Sequence, residues 1–192
     1  MEEPMIRGHV LEHAARFYRT SYDHTAAARV EGELSVELKA VLESLTRAQF
    51  YPRRYLVEML NAFALVRGTS DATYADFVRC GSSLADANNE FGKLLMRVMT
   101  PELFLKKLPR FWSRDHKGSG AFELEPVGSG EQRVARVVLR SVKHYDHGAI
   151  LWLGFIQGVF SQLGATKLSV TQEGWSWDSP GPQDVAYEVR WS

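Results

Sequence analysis

Apolar residues recur along this chain with two different periods, and the change from one to the other falls near residue 117. Ile6, Val10, Leu11, Ala14, Phe17 and Tyr18 keep a 3.6-residue spacing, which predicts a first helix over residues 5–20. "LSVELKAVLESL" predicts a shorter helix over 34–45. In "YPRRYLVEMLNAFALVRG", Pro52 suits the first helical position and Gly68 the C-terminal stop. Another helix is predicted from about Asp71 through "NNEFGKLLMRVM", with Gly81 as a candidate break. "TPELFLKKLPRFWSRDH" then opens with Thr100 as N-cap, Pro101 in the first turn and Glu102 near the positive end of the dipole. Pro109 is predicted to kink or end it.

After the loop "KGSG" the pattern alternates. "AFELEPV" and "RVARVVLRSV" read as two strands joined by "GSGEQ". "TKLSVTQEGW" and "DVAYEVRW" read as two more, joined by the turn-rich "SWDSPGPQ". Between the pairs lies "GAILWLGFIQGVFSQLGA", Gly148 to Ala165, an uncharged run at the short edge of what spans a bilayer. Gly154, Gln157, Gly158, Ser161 and Ala165 recur on it as one small, weakly polar stripe, so it reads as a buried helix of a soluble fold. The expected fold class is α+β: a helical part over about 1–116, then a β-β-α-β-β antiparallel sheet over about 117–192, as one domain.

Composition narrows the function classes. Lys plus Arg and Asp plus Glu stand at 23 each among 192 residues, so no net field draws the chain to nucleic acid or to an anionic membrane. The one cysteine, Cys80, cannot form an internal disulfide, and "MEEPMIRGHV" lacks the build of a signal peptide. A cytoplasmic location is the expectation.

Three groups are candidates for chemistry. His9 and His13 share a helix face, but no third ligand stands at metal-site spacing. His144, Asp146 and His147 in "HYDHG" have the residue types of a metal-dependent enzyme, or of a cap on the helix that starts at Gly148. Aromatic residues on two helices, Phe104, Phe111, Trp112, Trp152, Phe155 and Phe160, form either core or an apolar ligand pocket.

The order of "MIRGHVLEHAARFY", "YPRRYLVEMLNAFA", "FGKLLMRVMTPELFLKKLPRFW", strands and "GFIQGVF" resembles the haem nitric-oxide/oxygen-binding domain and its superfamily. That superfamily includes the 4-vinyl reductase ligand-binding domains and Bet3-type transport subunits, and the chain is most similar to a myxobacterial group within it. The resemblance implies a fold of the nitric-oxide-signalling and Golgi-transport type. It also implies where a haem would be held. The proximal histidine position falls on Trp112, whose indole is a donor only, and the places of a Tyr-x-Ser-x-Arg motif fall on Val142, His144 and Asp146.

The expectation from these readings is a non-catalytic, haem-free sensory or adaptor domain with no cofactor, no metal, no nucleic acid and no membrane. Its ligand, if small and apolar, is expected at Leu108, Phe111, Trp112, Trp152 and Phe155; otherwise it works through a protein partner or as a homodimer. The alternative is the metal-dependent enzyme at His144, Asp146 and His147.

Overall fold

The structure is a computed structural model and describes residues 3–86, 99–128, 133–141, 147–177 and 184–192. It begins with a strand where a helix is expected. β1 (Met5–Arg7) precedes α1 (Gly8–Ser21), because residues 5–7 pair antiparallel with β2 (Phe50–Pro52) on one side and β3 (His116–Lys117) on the other. Ile6 fits the helical period of α1 and is nonetheless a strand residue, buried at the centre of this small β2-β1-β3 sheet. Pro52 accordingly lies in β2 rather than in the first turn of α4 (Arg54–Arg67). Gly68 does end α4, with φ of +80°.

Two short helices lie between α1 and β2. α2 (His24–Glu33) is absent from the sequence expectation, since Val30 is its single buried residue and no apolar stripe marks it. Its signal is the Asp23 carboxylate, which accepts the Ala26 N–H at 2.8 Å. α3 (Val36–Glu43) is capped in the same way by Ser35. α5 (Asp71–Asp86) runs unbroken through Gly81, and the segment expected to continue it, 87–98, lies outside the described residues. α6 (Pro101–Asp115) has the expected Thr100 cap, with the hydroxyl accepting the Leu103 N–H at 3.2 Å. Pro109 does not end it; the helix closes at Asp115, where the His116 N–H returns to the Trp112 carbonyl.

The larger sheet is antiparallel, in the order β4 (Ala121–Gly128), β5 (Arg133–Arg140), β7 (Val185–Trp191), β6 (Ser169–Glu173). α7 (Gly148–Gln162) covers one face of it, and the Tyr187 hydroxyl of β7 donates to the Ala149 carbonyl at 3.0 Å. The other face carries charge: Arg136 pairs with Glu125 and Glu173, and Arg140 with Glu123 and Asp184.

α7 belongs to two apolar clusters at once. Ile150 and Leu151 pack with α1, α4 and α5, whereas Trp152, Leu153, Ile156 and Phe160 pack with α6 and the sheet. Its small-residue stripe meets α5 backbone to backbone. A Cβ on Gly154 would fall on the Val78 carbonyl, and one on Gly81 of the facing helix on the Leu151 carbonyl, so both positions require glycine. No helix among the described residues is long and apolar enough to cross a membrane.

Candidate functional site

α6 puts Phe104, Leu105, Leu108 and Trp112 on one face, at the spacing that helical geometry requires, and all four are buried. Phe111 is half-buried and stacks on Phe104, with centroids 6.0 Å apart. From α7 come Trp152, buried, and Phe155, half-buried, whose rings meet edge to face at 4.8 Å. Leu108, Phe111, Trp112, Trp152 and Phe155 are thus gathered in the cluster between α6, α7 and the sheet.

Trp112 is its centre. Its ring lies 5.0 Å from Phe122 of β4 and 5.0 Å from Trp152, edge-on to both. The indole N–H donates to the Gly120 carbonyl at 3.0 Å, which ties α6 to the turn entering β4.

Two residues beside Trp112 were not singled out from sequence as site residues. His116, at the end of α6, lies flat against the indole, with centroids 3.8 Å apart and planes within 5°. It is buried, and neither ring nitrogen has a hydrogen-bond partner. Burial, reinforced by the neighbouring Arg53 guanidinium and by His9, holds its pKa well below the ordinary histidine value, so the ring is neutral. Arg53, 2% exposed, comes from the junction of β2 and α4, with its guanidinium 5.7 Å from the Trp112 ring centroid. The signal for His116 is its place four residues after Trp112, on the same face. Arg53 gave none, because "YPRRY" reads as the polar start of a helix and the long-range pairing of β1 with β2 buries it.

The remaining candidates are dispersed. His9 lies 3.7 Å from Asp115, with burial lowering its pKa. His13 is buried against α5: its Nδ1 faces the Arg16 guanidinium at 3.3 Å, which leaves the proton on Nε2, near the Cys80 carbonyl at 3.1 Å and Ser83 Oγ at 2.9 Å. With Nε2 donating, His13 is no base for Ser83; the network fastens α1 to α5. Cys80 is fully buried, and desolvation pushes its thiol pKa far up. His147 forms no side-chain capping hydrogen bond to α7, contrary to a capping role; its ring stacks on Phe77 at 5.2 Å. His144 and Asp146 lie outside the described residues. Among the described residues no three His, Cys, Asp or Glu side chains are grouped to hold a metal.

No family model matches the chain, and no curated protein matches it. Solved structures do. The chain is similar to the Fe(II) unliganded H-NOX protein of K. algicida, a point mutant, with a TM-score of 0.71 and 11% identity over 97% of each chain. The fold is that of the H-NOX proteins. A T. tengcongensis H-NOX mutant gives a TM-score of 0.65 at 13% identity, over 97% of this chain and 98% of its own. An oxygen-binding H-NOX domain related to soluble guanylate cyclases gives 0.62 at 14%, over 97% and 94%.

Trp112 does not fit as a ligand to the iron porphyrin that an H-NOX fold implies. The indole N–H is already donated to Gly120, and indole nitrogen has no lone pair for iron. His116 has the chemistry of an iron ligand, and its ring lies flat against the indole with centroids 3.8 Å apart.

Proposed function

We propose that this chain is a haem-free sensory or adaptor domain on the H-NOX fold, non-catalytic and cytoplasmic, that takes a small flat apolar ligand among Leu108, Phe111, Trp112, Trp152 and Phe155. Its output is contact with a partner protein or a second copy of itself. The observation that supports this reading most is Trp112. An aromatic side chain, anchored by its own N–H and stacked on His116, stands where an axial ligand is expected, within a fold whose solved examples include an oxygen complex. The half-buried Phe111 and Phe155 give such an interior an aromatic approach.

The test uses the purified chain and two probes. Incubation with haem is expected to give no stoichiometric Soret band, and titration with toluene is expected to shift the Trp112 and Trp152 indole N–H resonances saturably. A one-to-one Soret band would sink the haem-free reading. Indole resonances that stay still throughout the toluene titration would sink the apolar ligand site.

A further inference from the structure

α1 carries a second stripe beside the one it buries. Glu12, Ala15, Arg16, Arg19 and Thr20 recur at helical spacing, so they share one face of the helix. Between that face and α3 lies a groove of about 320 Å³, lined on its far side by Leu42 of α3 and by Leu45 just beyond it. Ala15 is 4% exposed, and Leu42 and Leu45 are half-buried, so the three form an apolar floor. At Ala15 α1 offers only a methyl group, with longer side chains around it, which leaves the space open.

The charges around this groove do not balance. Glu12 is paired with Arg47 at 2.8 Å, and Arg19 with Glu31 at 2.9 Å. Arg16 has no carboxylate at ion-pair distance among the described residues; its guanidinium donates to His13 Nδ1 at 3.3 Å. That bond sets an exposed cation at the rim, because His13 is itself fastened to α5 near Cys80 and Ser83. The Thr20 hydroxyl is spent on the carbonyls of Arg16 and Phe17, so the side-chain donors open to a ligand are guanidinium N–H groups.

These features select for one negative charge on an aliphatic body. A carboxylate meets a guanidinium through two parallel hydrogen bonds and with a single charge, whereas a doubly charged phosphate would set surplus charge beside Glu12. The lining holds no aromatic ring to stack on, and the volume lies at the small end of the ~300–1,000 Å³ of ligand pockets, so the body is short.

We propose that the groove between α1 and α3 binds a short-chain aliphatic carboxylic acid, its carboxylate on Arg16 and its chain along Ala15, Leu42 and Leu45. The floor belongs to the N-terminal apolar cluster and not to the one around Trp112, so this site and the aromatic one stand or fall separately.

The experiment titrates the wild-type chain with octanoate, with 1-octanol, which has the chain and no charge, and with acetate, which has the charge and a single methyl group. The methyl resonances of Leu42 and Leu45 and the imidazole resonances of His13 report binding. Octanoate is expected to shift them saturably and to bind about tenfold or more tightly than either other probe. Arg16→Met is expected to weaken octanoate about tenfold and to leave octanol within about twofold, whereas Arg110→Met, at an exposed position on α6, leaves both unchanged. Octanol or acetate binding as tightly as octanoate would overturn the assignment, as would an Arg16→Met variant that keeps wild-type affinity. Shifts confined to the Trp112 and Trp152 indoles, or no saturable binding of octanoate, would overturn it too. A dimer in sedimentation that Arg16→Met dissociates would give the groove to a second copy of the chain and overturn the acid. Arg16 is exposed and pairs with no acid, so its variant is expected to fold; should it not, the wild-type ratios decide.

Discussion

His13 and His116 are buried imidazoles with opposite surroundings. His13 is bonded at both nitrogens, whereas His116 is bonded at neither, yet burial lowers both pKa values below the ordinary 6.5. With the folded pKa below the unfolded one, the unfolded chain binds more protons in the window between them. Stability is therefore complete above about pH 6.5 and declines as pH falls from there towards the folded values. Urea midpoints measured from pH 7.5 to 5 are expected to fall, and His116→Phe to flatten part of that fall; a midpoint constant over the range would contradict both assignments. Trp112→Ala removes one of the largest side chains of its cluster and is expected to cost roughly 3–5 kcal/mol in chemical denaturation. A cost below about 1 kcal/mol would mean that the indole is not packed as described. That Leu108, Phe111, Trp112, Trp152 and Phe155 come together in one cluster was legible because each lies on a helix with an apolar pattern of its own. Arg53 was not, because nothing local buries it.

At the scale of elements, glycine positions separate packing from backbone freedom. Gly81→Ala sets a methyl on the Leu151 carbonyl and is expected to destabilise by at least the ~1–3 kcal/mol typical of overpacked cores. Gly32→Ala, near the end of α2, meets nothing within 4 Å and is expected to stabilise by about 0.4–1 kcal/mol through the unfolded chain. Thermal unfolding of the two variants checks the contrast, and a shift of the same sign in both would undo it. The same elements mark the limits of pattern reading. The "GAILWLGFIQGVFSQLGA" helix and the four long strands have apolar patterns of their own and were legible. β1, β2 and β3 are two or three residues long and exist only by pairing with one another, so no window of sequence holds their signal. α2 is written in its cap rather than in its face.

Over the whole molecule, the chain was legible as helices followed by a β-β-α-β-β sheet, and the solved H-NOX structures match nearly its full length. What pattern could not supply is that one helix serves both halves, since consecutive residues Leu151 and Trp152 enter different clusters. Neither cluster can melt while the other stays packed. Calorimetric and van't Hoff enthalpies of unfolding are therefore expected to agree, and two resolved transitions would refute the coupling. The contact of α5 with α7 carries a mechanical consequence as well. Because the Val78 and Leu151 carbonyls bear directly on Gly154 and Gly81, α7 has no freedom to turn about its own axis. The pair behaves as a strut, so a push on Trp152 reaches the N-terminal helices as translation, arriving where Phe77 meets Phe63 and where Cys80 and Ser83 hold His13.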